Sequence, residues 1–434
     1  MAKLAINGGD PIRTKLYDAY NTIGEEEKAA VLKVMDSGKL SGYLGAWHKD
    51  FYGGPFVQQF ESDFCDLFKC NNAISVNSNT SGLFTAIGAL GISPGDEVIV
   101  PPYTMSATAI APLIYGAVPV FADVDYVNFG ICPKSIEENI TARTKAIMVV
   151  HLFGNPAKMD EIMAIAKKHN LKVIEDCAQA PLSSYKGKMV GTIGDLGIYS
   201  LNYHKHIHSG EGGVIVTNDD NLAERCQLIR NHGENIVGAK GVEDKYNTHG
   251  FNFRMPEIEA SIGIEQLKKL PELIKTRLNN AEYFADKLGQ IDGILPPVVE
   301  QDVVHAYYIQ SFKFKKDIVG VDRDVFINAV KAEIPSAVLR EDTPLLGAGY
   351  VKPLYLLPVF KEKAAFPYKM GENKHVDYEN VNCPVVEKLH FEELFTSEYM
   401  RPGMSQVDMD EVLSAFYKVV ENIDELKQYA TSIK

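Results

Sequence analysis

The sequence predicts an α/β protein whose central sheet is mainly parallel and sandwiched by helices, followed by a smaller C-terminal α+β domain. Three observations carry this prediction. From Ala73 to about Asn218, short apolar runs alternate with segments of helical periodicity, the pattern of parallel strands joined by crossover helices. Between Val150 and Lys172 the apolar residues Met159, Ile162, Met163 and Ala166 recur at helical spacing, which makes that interval one βαβ unit. Beyond Pro256 strand and helix patterns mix without the alternation. Residues 1–20 are therefore expected to form an N-terminal arm, 21–255 the large domain and 256–434 the smaller one.

The elements follow in order. Glu25–Ser37 reads as the first helix, with Glu25, Glu26 and Glu27 placed where acidic charge suits the positive end of the macrodipole. Ser41–Pro55, rich in glycine and aromatic residues, reads as a structured loop. Ser78-Asn79-Thr80-Ser81-Gly82 precedes the helical stretch Leu83–Leu90. The predicted strands are Glu97–Val100, Val118–Asp123, Ala146–Val150, Lys172–Glu175, Leu196–Leu201 and Gly213–Thr217, with the helix Met159–His169 between the third and fourth. A long helix is expected after Asn252-Phe-Arg254-Met-Pro256, since proline is tolerated in a first helical turn, and Pro271 is expected to interrupt it. Tyr308–Phe314 alternates as a strand, and helices are expected at Asp324–Glu333 and Ser405–Glu421. The last of these opens with Ser405-x-x-Asp408, the spacing of a capping box.

Composition narrows the function. At 434 residues the chain is long enough for a core that needs no disulfide or metal staple. Its 44 basic residues against 57 acidic give a net charge of −13, which argues against nucleic acid as the main partner. The six cysteines show no CxxC spacing and are expected to be reduced thiols. No stretch approaches a membrane span and the N-terminus has no apolar signal segment, so a cytoplasmic location without membrane association is expected.

The chemistry concentrates between Val173 and Gly213. Asp176 follows the apolar Val173-Ile174 at the carboxyl end of a predicted parallel strand, where open α/β sheets bind ligands. Lys205 lies after an apolar strand and five residues before Gly210-Glu-Gly-Gly213, a turn that permits close backbone approach. An amine nucleophile, a strand-end carboxylate and a glycine turn are parts needed to hold pyridoxal phosphate (PLP) and form a Schiff base. Asp176 would keep the pyridine nitrogen protonated, and Gln179 is in reach of the ring O3′. The Ser78–Gly82 segment at a helix start is the natural phosphate cup, with Ser200 adding a hydroxyl. His204, His206 and His208 alternate around Lys205; the expectation is that one packs by the cofactor and the others are structural, with no metal site.

These motifs resemble the DegT/StrS family of sugar aminotransferases, PLP enzymes of fold type I. Gly95-Asp-Glu-Val-Ile-Val-Pro101, Thr144-Lys-Ala-Ile147, His151-Leu-Phe-Gly154, Met159-Asp-Glu-Ile162, Ile174-Glu-Asp-Cys-Ala-Gln179, Gly210-Glu-Gly-Gly213 and Gly250-Phe-Asn-Phe-Arg254-Met look like its signatures, in its order. The resemblance implies Lys205 as Schiff-base lysine and proton shuttle, Asp176 at the pyridine nitrogen and Gln179 near O3′. It implies that Thr80 and Ser200 hold the phosphate, with Asn79 standing in the cup where the family more often has glycine. Met105, in Pro101-Pro-Tyr-Thr-Met105, stands where the family usually places an aromatic residue over the ring, and a thioether can pack on an aromatic face. Asn252 matches a position from which the neighbouring subunit reaches the phosphate, implying a homodimer with shared active sites.

The activity implied is transfer of an amino group from glutamate or glutamine to a keto-sugar, most simply a nucleotide-linked one, through a pyridoxamine phosphate intermediate. Amination of a keto-cyclitol such as an inosose is the alternative in the same family, favoured by the similarity of Ile6-Asn-Gly-Gly-Asp-Pro-Ile-Arg13 to aminocyclitol-forming members. A PLP-dependent sugar 3-dehydratase is another, although that branch carries histidine where this chain has Lys205. A non-catalytic PLP-binding regulator is the alternative from outside enzymology; the intact Lys205 and Asp176 and the lack of a basic face count against it.

Overall fold

The computed structural model describes residues 3–18, 20–336 and 344–433. The large sheet has seven strands: β1 (Asn72–Val76), β2 (Glu97–Val100), β3 (Val118–Phe121), β4 (Thr144–Val150), β5 (Lys172–Asp176), β6 (Leu196–Ser200) and β7 (Gly213–Thr217). They lie in the order β1-β7-β6-β5-β4-β2-β3. Only β7 runs against its neighbours, pairing antiparallel with both β1 and β6, while the pairs from β6 to β3 are parallel. The strands are buried almost throughout, Val98, Ile99 and Val100 completely, as expected where helices cover both faces of a parallel sheet.

α1 (Glu25–Ser37) packs on the long helix Glu257–Leu288, and helices α2 (Pro55–Phe68), α3 (Asn79–Ala89), α4 (Ala107–Ile114), α5 (Met159–His169) and α6 (Asp220–Arg230) supply that cover. One core, with Leu83, Ile87, Leu113 and Cys226, occupies one face, and a second, with Val57, Phe60, Phe64, Ile162 and Ala166, the other. The sequence placed α1, α5 and β7 at their observed limits. It set the start of α3 four residues late, because Asn79, Thr80, Ser81 and Gly82 are poor helix formers; Ser78 caps that turn instead, its hydroxyl accepting from the Ser81 amide at 3.0 Å.

Pro271 does not interrupt the long helix. α7 runs unbroken over Glu257–Leu288, with Pro271 inside it and exposed. An interior proline costs about 3 kcal/mol, and here two cores outweigh it. The first half of α7 buries Ala260, Leu267, Leu270 and Ile274 with α2, where Gly263 admits the Phe60 ring: a Cβ there would lie 2.7 Å from it. The second half buries Phe284 and Leu288 in the C-terminal core, each burial worth about 2 kcal/mol.

That third core also holds Leu4 and Tyr17 of the N-terminal arm. It is built on β8 (Ile294–Leu295), β9 (Gln310–Phe314), β10 (Leu346–Ala348) and β11 (Leu394–Ser397), antiparallel in the order β8-β9-β11-β10. α8 (Arg323–Ala332) and α9 (Gln406–Glu421) pack on it, and the capping box at Ser405 and Asp408 forms as expected. Leu354, Tyr355, Phe360 and Tyr368, between β10 and β11, instead join the core of the large sheet. No helix among the described residues is long and apolar enough to cross a membrane.

Candidate active site

Asp176 ends β5 opposite Val150 of β4, so its carboxylate emerges at the carboxyl edge of the sheet. It is buried, Oδ2 accepting from Thr108 Oγ1 at 3.0 Å and Oδ1 from the Ala178 amide at 3.2 Å. Burial pushes its pKa up, against those two hydrogen bonds and the charge of Lys205. The site thus holds a desolvated carboxylate that a cationic ligand would stabilise.

Lys205 sits on the loop between β6 and β7. The loop is closed by backbone bonds from Leu201 to Gly212 (2.9 Å), Tyr203 to Gly210 (3.0 Å) and Lys205 to Asn202 (2.8 Å). Nζ stands 4.2 Å from the centre of the Tyr308 ring. Tyr308 is itself fixed, its amide donating to the Phe153 carbonyl at 2.7 Å and its carbonyl accepting from Arg277 Nη1 at 3.1 Å. Burial brings the Lys205 pKa down to about 8, with Asp176 and Glu398 opposing the shift.

A neutral amine is the nucleophile, so lowering the lysine pKa arms it. Capture of a small aldehyde by the apoprotein at Lys205 should therefore rise about tenfold per pH unit up to pH 8 and level off above it. Stopped-flow absorbance between pH 6 and 10 checks this; a rate still climbing at pH 10 would mean a fully solvated lysine.

The three histidines part company. His206 is buried, Nε2 lies 3.0 Å from the Ala306 carbonyl, and burial keeps its pKa well below the usual value. The His204 ring lies against Tyr203 at 3.6 Å between centroids, and His208 is half-buried. Among the described residues the metal-type side-chain atoms that gather within 4.8 Å are those of His151, Glu175 and Cys177. His151 Nε2 meets Glu175 at 2.9 Å, and Glu175 also accepts from the amides of Gly191, Ile193 and Gly194. This buried brace secures the ends of β4 and β5.

Gln179 is buried with both ends of its amide engaged: Oε1 accepts from the Phe153 amide at 2.6 Å and Nε2 donates to the Tyr350 hydroxyl at 3.0 Å. Its second Nε2 hydrogen is the group it offers a ligand. The Asn79 side chain turns back to the Ile198 carbonyl at 3.3 Å. Thr80 is half-buried in the first turn of α3, where helix geometry leaves the amides of residues 79 and 80 without intrahelical acceptors. Ser200 ends β6 opposite Gly213, its hydroxyl accepting from the Asn202 amide at 3.2 Å. Gly213 passes so close to the cup that a Cβ would lie 2.6 Å from the Ser78 carbonyl and 2.7 Å from the Asn79 nitrogen. The α3 N-terminus, Ser200 and Gly213 thus converge.

Met105 lies one turn before Thr108, whose amide meets the Met105 carbonyl at 3.3 Å, and its side chain is 64% exposed. Asn252 is exposed too, Oδ1 accepting from Arg254 Nε at 2.8 Å. It bridges to Asn231, whose Nδ2 donates to the carbonyls of Leu44 (2.9 Å) and Phe51 (3.0 Å). The Asn252 segment and the Ser41–Pro55 loop therefore form one surface, with Trp47 exposed on it.

Sequence reasoning missed Thr108, Arg277, Tyr308 and Tyr350. Thr108 and Tyr308 lie 68 and 103 residues from their partners, so no local spacing marked them. The donor set fits PLP: a buried carboxylate suits a pyridinium N–H, a low-pKa amine suits an aldehyde, and first-turn amides beside an indispensable glycine suit a phosphate.

Comparison with known proteins agrees with that fit. Residues 21–395 match the DegT/DnrJ/EryC1/StrS aminotransferase family. The GDP-perosamine synthase of Caulobacter vibrioides is 32% identical over 395 residues, 91% of this chain and 95% of that protein. A Micromonospora echinospora protein named for L-glutamine:3-amino-2,3-dideoxy-scyllo-inosose aminotransferase activity is 31% identical over 434 residues, 98% of this chain and 99% of that one. The X-ray structure of an aminotransferase from Psychrobacter cryohalolentis superposes with a TM-score of 0.79 at 30% identity, covering 94% of this chain and all of that one. With its fold-type I architecture and a family model spanning most of its length, the chain belongs to the DegT/DnrJ/EryC1/StrS family and is a PLP-dependent aminotransferase.

Proposed function

We propose that the protein transfers an amino group from glutamate or glutamine to the keto carbon of a nucleotide-linked sugar, with Lys205 as its catalytic residue. The observation that carries this reading is Lys205 Nζ, held over Tyr308 with its pKa brought to about 8 at the mouth of the sheet where Asp176 ends β5. PLP, when bound, supplies an aldehyde carbon and an electron-withdrawing pyridinium ring. Asp176 would keep the ring nitrogen protonated, and Thr108 and the Ala178 amide hold that carboxylate in place. Gln179 would donate toward O3′, Met105 would cover the open ring face, and Asn79, Thr80 and Ser200 would hold the phosphate with the first-turn amides of α3. Lys205 would provide the covalent attachment for PLP, and its Nζ, when free, would be the group placed to hold and move a proton at the donor Cα and at the acceptor carbon.

A keto-cyclitol acceptor is the second reading, favoured by the end-to-end match with the inosose aminotransferase relative. Lys205 weighs against the dehydratase and regulator readings. Incubating the PLP-loaded protein with donor and a panel of nucleotide-linked keto-sugars and inososes, with mass-spectrometric detection of the aminated product, tests both acceptor classes. No product from either class would defeat the reading.

The protein is proposed to work as a cytoplasmic homodimer in which Asn252 completes the partner's phosphate cup. Asn252→Ala should weaken PLP retention about tenfold, the loss of roughly one charge-assisted hydrogen bond. Equilibrium dialysis together with light scattering checks it. A monomer that retains PLP at full affinity would refute the shared site.

A further inference from the structure

The histidine that follows Lys205 has a partner outside its own loop. His206 is buried, and its Nε2 lies 3.0 Å from the carbonyl of Ala306, 100 residues further along the chain. A carbonyl only accepts, so Nε2 carries the hydrogen, and Nδ1 is buried without a partner among the described residues. Ala306 is itself fixed, its amide meeting the Gly154 carbonyl at 2.9 Å and the Ser183 hydroxyl at 3.2 Å. Two residues on stands Tyr308, whose ring centre is 4.2 Å from Lys205 Nζ and 5.9 Å from the centre of the His206 imidazole. Lys205 and His206 are adjacent on one segment, and Ala306 and Tyr308 share the other. One hydrogen bond therefore pins the lysine loop to the segment that supplies the ring above its amine.

We infer that His206 is a positioning residue, which through its bond to the Ala306 carbonyl holds Lys205 Nζ against the face of Tyr308. The inference deepens the aminotransfer reading above and rests on it for the effect on turnover. The loop's own backbone bonds, from the amides of Leu201, Tyr203, Lys205 and Ser209, close it upon itself. They fix its shape but not its place relative to Tyr308. A second outside anchor, the His208 amide on Gln266 Oε1 at 3.3 Å, ties the loop to α7 and not to the Tyr308 segment. His206 suits the task because it stays neutral: burial and the charges of Arg277, Lys205 and His305 all oppose its protonation. Burial is also the largest influence on Lys205. An amine released from Tyr308 into water would regain the ordinary lysine pKa and lose its neutral form near pH 7.

Two substitutions that differ only in reach test this. In His206→Gln the amide nitrogen stands where Nε2 stood, whereas in His206→Asn it extends only as far as Nδ1 and falls short of Ala306. Asp176 and Glu398, the charges that act on Lys205, are untouched in both. The first readout is aldehyde capture by the apoprotein between pH 6 and 10, each variant combined with Lys205→Ala serving as its blank. The midpoint at about 8 should persist in His206→Gln and rise by about one pH unit or more in His206→Asn. Tyr308→Leu should raise it too, and adding His206→Asn to that variant should move it no further. The second readout is turnover of PLP-loaded protein. In His206→Asn kcat should fall about 10- to 100-fold with the donor KM within about twofold, and His206→Gln should recover most of the rate. A midpoint or kcat unmoved in His206→Asn, a Gln variant as impaired as the Asn variant, or a further shift in the double variant overturns the inference. A midpoint that moves as expected in a protein that makes no aminated product would fail the aminotransfer reading and leave the positioning role standing.

Discussion

Lys205→Ala is expected to lower turnover by more than about 10⁴-fold, the upper end of what a general acid–base group contributes, with covalent capture lost in addition. The protein should still fold, because Lys205 makes no ion pair in the core and its burial opposes its charge. It should also still bind PLP, since the cup around α3, Ser200 and Gly213 and the Asp176 carboxylate are untouched. Borohydride reduction followed by peptide mapping gives the direct check on the wild type. A pyridoxyl group found on any other lysine would remove Lys205 from the chemistry.

Asp176→Asn should cost about 10²–10⁴-fold in rate, corresponding to the roughly 3–5 kcal/mol at stake when one partner of a buried charge pair is removed. Stability should move the other way. The Asp176 pKa is raised by burial, so the folded apoprotein disfavours the ionised carboxylate, and that penalty on stability grows as pH rises. An isosteric amide keeps the bond from the Ala178 amide and can donate to the Thr108 hydroxyl. The apoprotein Tm should therefore stay level or rise while activity collapses. A mutant with near-normal turnover would reduce Asp176 to a capping residue.

The parts of the site legible in the sequence are those whose chemistry is local. Asp176 and Gln179 are three residues apart on one strand end, and the Lys205 loop is closed within thirteen residues of β6. Six of the seven strands were legible because a parallel sheet buried on both faces demands continuous apolar runs; β1, which opens on Asn72 and carries Ser75 between Ile74 and Val76, was not among them. The residues that orient the chemistry were not. Tyr350 reaches Gln179 across 171 residues, and Tyr308 and Glu398, whose charge acts on Lys205, are supplied by the C-terminal region, with nothing in their local spacing to announce it. Pro271 misled for a related reason: a propensity rule sees one residue, whereas α7 answers to two cores on either side of it.

That helix has a mechanical consequence. Thirty-two residues make a rod about 48 Å long, beginning beside the Asn252 segment and ending in the core that carries the C-terminal sheet. There is no flexible tether between the two halves at Pro256 for a protease to find, and neither half can melt without baring one side of the rod. Heating should accordingly give a single calorimetric transition, and limited trypsin digestion should leave no stable fragment cut between Arg254 and Lys287.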